Sequence, residues 1–243
     1  MSSPRFYCPA KLSLGATVRL PDSPAHHAYR VLRLQPGAPV TLFNGDGHDY
    51  AAELLRVGRD EVSAKISGQT AVSNESPLAV TLAQAISSGD RMDFTLQKAV
   101  ELGVGAIQPL AAERSVVKLA GERADKRREH WQNVVISACE QSRRAVVPEV
   151  AAPLPLMHWL GKPESFALKL MLAPGAGRTL HDLPRPDGPI CLLIGCEGGF
   201  SPQETQAALS AGYTQVQLGA RVLRTESAAL AALAALQTLW GDF

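Results

Sequence analysis

Ile190-Cys-Leu-Leu-Ile-Gly-Cys-Glu-Gly-Gly199 is the stretch of sequence that decides the fold. Its five apolar residues predict a buried strand over Ile190–Ile194, which runs directly into a glycine-rich turn. Ser201-Pro-Gln-Glu204 then predicts a helix start, with a capping box and a proline at the first helical position. This order is typical of an open α/β sheet, in which ligands bind beyond the carboxyl ends of the strands.

The glycines of this turn allow the backbone to approach a ligand closely. The pattern matches neither the G-x-G-x-x-G fingerprint nor a Walker loop, and the Glu197 carboxylate would repel a phosphate. A plain tight turn, with Glu197 in solvent, is the alternative interpretation.

Leu218-Gly-Ala-Arg-Val-Leu-Arg-Thr-Glu-Ser227 repeats the arrangement of a strand, a glycine-containing loop and a helix. Thr225 suits the N-cap and Glu226 suits the positive end of the helix dipole, which explains both residues structurally. Arg221 and Arg224 are harder to explain in a short loop between buried elements. A guanidinium offers a planar fork of donors that fits a phosphate or a base edge.

A helix over Arg91–Leu102 carries Gln97, Lys98 and Glu101 on one polar face. A solvated helix face is the ordinary interpretation of that pattern. The same interpretation applies to Glu113-Arg114-Ser115 and to the polar run from Cys139 to Arg144.

Before Pro77 the chain reads as β-rich, with a hairpin signal at Asn44-Gly-Asp-Gly47 and a helix over Pro24–Leu34 that has Ser23 as its N-cap. Five short strands with one helix suggest a small barrel. The predicted strands are Arg5–Cys8, Ala16–Leu20, Pro39–Phe43, Tyr50–Val57 and Val62–Ile66.

After Pro77 apolar runs alternate with amphipathic stretches, as in an α/β domain. The polar stretch Gln69–Pro77 places the boundary between domains of residues 1–72 and 73–243. The remaining predicted strands are Leu78–Ile86, Ala106–Leu110, Phe166–Leu172 and Val216–Leu218, and the remaining helices are Lys126–Arg144 and Glu226–Trp240.

Composition, net charge, cysteine spacing and missing motifs limit the classes of protein to which the chain can belong. With 243 residues, 46% of them hydrophobic, the chain can bury a sizeable core, and its net charge of +1 gives no support by itself for nucleic-acid binding. Four cysteines without a C-x-x-C pair predict buried or free thiols in a reducing compartment. No metal-ligand cluster or G-x-S-x-G motif is present. Without a signal core or a membrane-length apolar run, we expect a soluble cytoplasmic protein.

Taken together, these segments resemble the bacterial 16S ribosomal RNA uridine-N3 methyltransferase family of the knotted SPOUT class. The resemblance spans essentially the whole chain, and the joint order and spacing of its motifs is highly specific. Those motifs are Arg30-Val-Leu-Arg33, Arg91-Met-Asp-Phe94 with Gln97-Lys98 and Glu101-Leu-Gly103, Glu113-Arg114, Ala138-Cys-Glu-Gln141, Leu193-Ile-Gly-Cys-Glu-Gly-Gly199 and Leu218-Gly-Ala-Arg-Val-Leu-Arg-Thr-Glu226.

The resemblance implies an α/β protein with an N-terminal PUA-like β-barrel and a C-terminal trefoil-knotted methyltransferase domain. It implies S-adenosylmethionine as cofactor, N3 of a uridine in 16S ribosomal RNA of the small subunit as acceptor, and a homodimer with shared active sites, with no metal and no membrane. The family usually has proline where this chain has Cys196, and often where it has Ala220.

The resemblance also assigns roles to residues. Arg224 is expected to stabilise the uridine anion, and Glu226 or Glu197 to accept the proton. The expected cofactor-binding residues are Leu172, Ile194, Gly195, Glu197, Gly198, Leu218, Gly219, Val222, Leu223 and Arg224, and the expected RNA contacts are Arg5, Arg30, Arg33, Arg91, Lys98, Arg114 and Arg143.

Three other interpretations stay open at the level of sequence. One is a non-catalytic RNA-binding or ribosome-assembly factor that keeps the fold, against which the retained Gly195, Glu197, Gly198, Arg221 and Arg224 argue. Another is a methyltransferase of the same class that acts on a different nucleotide or on transfer RNA. A small-molecule enzyme is a distant third.

Overall fold

A computed structural model of the chain describes residues 3–116, 121–163 and 165–243. These residues form two compact units. The first comprises Met1–Glu75 with Cys139–Val147, and the second comprises Ser76–Ala138 with Pro148–Phe243. The predicted boundary between residues 72 and 73 lies three residues before the division at Glu75 and Ser76, and the first unit also includes Cys139–Val147.

The first unit is built on a five-stranded sheet. Its strands are β1 (Arg5–Tyr7), β2 (Thr17–Arg19), β3 (Pro39–Phe43), β4 (His48–Val57) and β5 (Val62–Ala71). They lie in the order β1-β3-β4-β5-β2, with β1 parallel to β3 and the other pairs antiparallel. Tyr50, Ala52 and Leu54 alternate into the core along β4, as period-two patterning requires. The five predicted strands are therefore present.

The helical segment of this unit differs from its prediction. Helix α1 spans Asp22–His26, with Pro21 as its N-cap and no side-chain capping bond, so Ser23 lies inside the helix. A π-helical turn follows over His27–Val31, where the Leu32 N–H donates to the His27 carbonyl at 2.9 Å. Arg33, with φ at +52°, then ends the segment. The helix thus starts earlier because Pro21 fixes the extended entry of the chain and Asp22 suits the helix dipole.

The second unit is built on a parallel sheet in the order β12-β10-β11-β6-β7-β8, with β9 also paired to β7. Strand β11 lies inside the sheet with all five residues buried, which explains why it reads as a continuous apolar run. The strands are β6 (Val80–Ala85), β7 (Ala106–Ala111), β8 (Glu149–Val150), β9 (Leu154–Pro155), β10 (Leu168–Leu172), β11 (Ile190–Ile194) and β12 (Thr214–Val216).

In the described part of the chain, five α-helices lie between or after these strands, as in other α/β folds. They are α2 (Asp90–Glu101), α3 (Glu122–Ser142), α4 (Leu156–Leu160), α5 (Pro202–Ser210) and α6 (Thr225–Trp240). Helix α6 packs against α2, where the buried Gln237 amide donates to the Leu102 carbonyl at 3.0 Å and accepts from the Ser76 hydroxyl at 2.7 Å. No helix in the described part of the chain is long and apolar enough to cross a membrane.

Two differences from the predicted elements of this unit have physical causes. Strand β12 ends at Val216 and not at Leu218, because the Gln217 N–H leaves the ladder and donates to the Arg178 carbonyl at 2.8 Å. The elements β8, β9 and α4 were not predicted, since strands of two residues in a proline-containing stretch are too short to show a periodicity.

Candidate functional site

A cavity of about 660 Å³ lies at the carboxyl ends of β10, β11 and β12, which are adjacent in the sheet. This volume falls within the range of roughly 300–1,000 Å³ that is typical of small-molecule sites. Its lining comes from the three loops that follow these strands, from the start of α6 and from Arg91 on α2. The position is the one expected for a ligand in an open α/β sheet.

The structure brings the residues predicted for cofactor binding together in this cavity, since all ten of them line it. The three predicted catalytic residues line it as well. Of the predicted RNA contacts, Arg91 alone is part of the lining. Further lining residues, none of them among the predicted cofactor-binding or catalytic residues, are Ala173, Pro174, Cys196, Gly199, Val216, Gln217, Arg221, Thr225 and Ala228.

The loop after β11 is a tight turn that favours glycine at two positions. The Gly199 N–H donates to the Cys196 carbonyl at 2.9 Å, and Gly199 has a φ of +64°, which side chains other than glycine rarely adopt. A Cβ atom on Gly195 would lie 3.2 Å from the Gly199 Cα. The Cys196 thiol, buried in this turn, donates to the Gly199 carbonyl at 3.6 Å and so closes the loop from within.

Glu197 does not point freely into solvent, so the interpretation of a plain turn is wrong on this point. Its carboxylate accepts from the Ser88 backbone N–H at 3.0 Å, from the Ser88 hydroxyl at 2.8 Å and from the Arg91 guanidinium at 2.8 Å. Burial alone would raise the pKa of Glu197, but these bonds and one from its own N–H outweigh burial and lower the pKa to about 2. Glu197 is therefore an ionised, well-bonded anion at neutral pH and a weak base.

The start of α6 differs from its prediction. Arg224 is the N-cap and Thr225 is the first helical residue, so Thr225 is not the cap. Its hydroxyl donates to the Gly195 carbonyl at 2.6 Å, which removes it from any capping role. Glu226 lies in the first turn, and its Oε2 atom is buried with no hydrogen-bond partner among the described residues. A carboxylate oxygen without a partner thus lies in a residue that lines the cavity.

Glu204 has a second role beside its predicted one in the capping box, because it also bonds to the segment that contacts the loop after β11. Its Oε2 accepts from the Ser201 N–H at 2.9 Å, which completes the predicted capping box, and that prediction is confirmed. Its Oε1 accepts from the Glu113 N–H at 2.7 Å. The next residue, Arg114, then donates to the Gly198 carbonyl at 3.0 Å, so α5 and the Arg114 segment hold the turn together.

Comparison with known proteins identifies the family. A model of the RNA methyltransferase domain matches residues 74–237, and a model of the RNA methyltransferase PUA domain matches residues 20–67. The ribosomal RNA small subunit methyltransferase E of Buchnera aphidicola subsp. Schizaphis graminum is 35% identical over 98% of this chain and 97% of its own. This chain belongs to the ribosomal RNA small subunit methyltransferase E family.

Solved structures of this family share the fold. A ribosomal RNA small subunit methyltransferase E from Neisseria gonorrhoeae, bound to S-adenosyl methionine, is 49% identical with a TM-score of 0.92. A methyltransferase from Legionella pneumophila, in complex with the bound cofactor SAM, is 40% identical with a TM-score of 0.96. Both comparisons cover 100% of each chain. The predicted family is confirmed, as is the predicted fold class with its PUA domain, while the knot and the homodimer stay predictions.

In this methyltransferase the predicted RNA-contacting residues have different surroundings. Arg30, Arg33 and Arg143 are exposed, and none of them forms an ion pair with another described residue. Lys98 instead pairs with Glu101 at 2.7 Å. The guanidinium groups of Arg91 and Arg114 bond to the loop after β11, as described above.

Arg5 does not fit the role predicted for it. Its side chain is 8% exposed and pairs with Asp49 at 2.7 Å. The same guanidinium donates to the backbone carbonyls of Cys139 at 2.8 Å and Arg144 at 2.9 Å. Its donors are thus used inside the first unit, where they fix the segment Cys139–Val147, and Arg5 is left out of the RNA surface proposed below.

The cysteines and the acidic residues give no indication of a metal site. Cys8, Cys139, Cys191 and Cys196 are all buried free thiols, as predicted from their spacing. Within residues 3–116, 121–163 and 165–243, no group of three or more His, Cys, Asp or Glu side chains could hold a metal ion.

Proposed function

We propose that this protein transfers the methyl group of S-adenosylmethionine to N3 of a uridine in 16S ribosomal RNA. The observation that carries the proposal is the cavity at the carboxyl edge of β10, β11 and β12. All ten residues predicted to bind the cofactor line it. Membership of a ribosomal RNA methyltransferase family supports the reaction class. The SAM-bound relatives support the cofactor.

The lining of the cavity suits a cofactor with an apolar body and polar edges. Ile194, Leu218 and Leu223 offer apolar walls, and the glycines leave backbone N–H and C=O groups accessible for the adenine edge. The ionised Glu197 also lies in the lining, where its charge is paired with that of Arg91 at 2.8 Å. No metal is needed, because the sulfonium already activates the leaving group.

The acceptor nitrogen sets the chemical demand on the protein. N3 of uridine carries a proton and is a poor nucleophile, so methyl transfer needs removal of that proton or stabilisation of the anion spread over O2 and O4. Arg224 is exposed at the N-cap of α6 and lines the cavity, where its guanidinium can donate to a uridine oxygen. We assign it the role of stabilising the developing anion.

Glu226 is the better of the two candidates for accepting the proton. The Glu197 carboxylate is already held by Ser88 and Arg91, with a pKa of about 2 that makes it a weak base. Glu226 in contrast has a buried carboxylate oxygen without a partner among the described residues, and it lies two residues from Arg224 in the lining of the same cavity. A free acceptor beside the anion-stabilising donor is the arrangement that proton removal requires.

RNA binding is assigned to the exposed basic residues. Arg30, Arg33 and Arg143 are exposed and form no ion pair with another described residue, so their guanidinium groups can donate to phosphates. Arg91, Lys98 and Arg114 can add to them by exchanging their present partners. The target uridine has to leave its stack to reach a methyl group inside a cavity. We further propose that the protein acts in the cytoplasm as a homodimer on the small ribosomal subunit.

The test is transfer of a labelled methyl group from S-adenosylmethionine to small ribosomal subunits that lack the modification, followed by mass spectrometry of the nucleosides. The proposal predicts 3-methyluridine with the wild-type protein and a strong loss with Arg224→Ala. Cofactor binding without transfer would point to another RNA substrate. If the protein neither binds the cofactor nor transfers the methyl group, a non-catalytic RNA-binding protein is favoured. Cys196 and Ala220 would then be the first positions to change to proline.

A further inference from the structure

Three polar groups from three elements of the second unit form a buried hydrogen-bonded chain next to the cavity. The Gln84 amide on β6 donates to the Thr225 hydroxyl at 3.0 Å, and the Thr225 hydroxyl donates to the Gly195 carbonyl at 2.6 Å. Gln84 is 0% exposed and Thr225 is 7% exposed. The chain thus joins the middle of the sheet, the start of α6 and the first residue of the loop after β11.

The direction of this chain follows from the donors that each group has. The Gly195 carbonyl can only accept, so it takes the single hydroxyl proton of Thr225. Thr225 must therefore accept from the NH₂ group of Gln84, whose second bond goes to the Ala85 carbonyl at 2.9 Å. In this geometry Gln84 supplies the donor from which the Thr225 hydroxyl accepts.

Ordinary core packing does not explain a glutamine at this position. Its Oε1 atom is buried without a hydrogen-bond partner in the described part of the chain, which is unfavourable. An apolar side chain of similar volume would avoid that penalty. Gln84 also lies opposite Ile194 in the β6–β11 ladder, directly beside the point where the Gly195 loop leaves the sheet.

We propose that Thr225, held by Gln84, is a positioning residue. It fixes the Gly195 carbonyl and so orders the loop after β11 before the cofactor binds. This inference rests on the function proposed above. A loop that is already ordered loses less conformational freedom on binding, which increases affinity. Since Thr225 and Gly195 also join two of the three loops that line the cavity, their bond keeps these loops in register.

The experiment is isothermal titration calorimetry of S-adenosylmethionine with four forms of the full-length protein, together with their melting temperatures. Thr225→Val removes the hydroxyl and keeps the shape, and we expect the Kd to rise about tenfold, or about 1.4 kcal/mol. Thr225→Ser restores the hydroxyl and should return the Kd to within about twofold of wild type. Thr238→Val, which removes an exposed hydroxyl bond to the Ala234 carbonyl on the same helix, is the matched control and should leave the Kd unchanged.

A second variant tests the chain as a unit. Gln84→Met removes the donor to Thr225 at nearly constant volume, and we expect a Kd about threefold higher than wild type. The double variant should bind no more weakly than Thr225→Val alone, because coupled residues are not additive. If Thr225→Val does not fold, Gln84→Met alone decides, and an unchanged Kd in it overturns the inference.

Several outcomes separate this inference from the proposed function. A lowered melting temperature with an unchanged Kd in Thr225→Val would make the bond purely structural and sink the inference. Additive losses in the double variant would also overturn it. Failure of the wild-type protein to bind the cofactor would instead refute the proposed function, and the inference with it.

Discussion

Glu197→Gln is the substitution with the clearest expected effect, because the structure shows what the charge on Glu197 does. The carboxylate accepts three hydrogen bonds, from the Ser88 N–H, the Ser88 hydroxyl and the Arg91 guanidinium. Glutamine keeps the shape and an acceptor oxygen but removes the negative charge. We expect the variant to be less stable than wild type at pH 7 and to bind the cationic cofactor more weakly.

The magnitude follows from the lowered pKa. A pKa of about 2 in the folded protein, against an ordinary 4.5, corresponds to about 3 kcal/mol of stability at most. The Glu197 side chain is 28% exposed, so solvent screens the interaction and about 1–2 kcal/mol is the realistic expectation. For a chain of this size that loss lowers the melting temperature by roughly 2–4 °C per kcal/mol.

The pH dependence gives the decisive signature. A lowered pKa contributes stability that is complete above the unfolded-state value of 4.5 and is lost as the pH falls toward 2. The difference between wild type and Glu197→Gln should thus be constant from pH 7 to about 5.5 and shrink by more than half at about pH 3.

Urea unfolding at pH 7, 5.5, 4 and 3 measures this difference directly. Glu101→Gln is the matched control, because it breaks an ordinary helical pair with Lys98 and should change the stability by about 0.5 kcal/mol or less. Equal stability of wild type and Glu197→Gln at pH 7 would refute the reasoning. A difference that is as large at pH 3 as at pH 7 would refute it equally.

Three further predictions concern the reaction and the RNA surface. Arg224→Ala should lower kcat by roughly 10²–10³-fold while the cofactor Kd in calorimetry stays within about threefold of wild type, and a parallel loss of both would contradict its role. Glu226→Gln should lower kcat about 10²-fold at neutral pH. The loss should be smaller at alkaline pH, because the uracil is then ionised without help from the protein. An equal loss of kcat at every pH would contradict the role of Glu226 as proton acceptor. Arg30→Ala should weaken RNA binding in filter binding and flatten its salt dependence without loss of stability. Arg5→Ala should instead destabilise the protein by about 3 kcal/mol in thermal unfolding. The opposite pattern in these two assays would reverse the two assignments.

Features with local causes could be predicted from the sequence. The apolar run Ile190–Ile194 and the capping box of Ser201 and Glu204 were placed correctly, because burial of a central strand and the start of a helix depend on neighbouring residues. The loops that line the cavity could be named for the same reason, since the carboxyl end of each parallel strand is set by the chain direction. The family resemblance supplied the identity of the ligand, which periodicity does not contain.

Features that depend on a distant partner could not be predicted. The strands β8 and β9 have two residues each and exist because β7 offers them a ladder. Arg5 is among the predicted RNA contacts, but folding brings Asp49 and two carbonyls of Cys139–Val147 around its guanidinium. A side chain of either role looks the same in the sequence.

The loop after β11 shows most clearly which features the sequence determines and which depend on the tertiary structure. The sequence by itself determined that a strand, a glycine-rich turn and a capped helix follow one another, because each is encoded by adjacent residues. Tertiary structure alone decided that Glu197 is held by Ser88 and Arg91, more than 100 residues away, and that Thr225 bonds to Gly195 and does not cap its own helix. A polar side chain bonds to whichever donor or acceptor the packed strands and helices bring within about 3 Å, and that partner is a property of the fold as a whole.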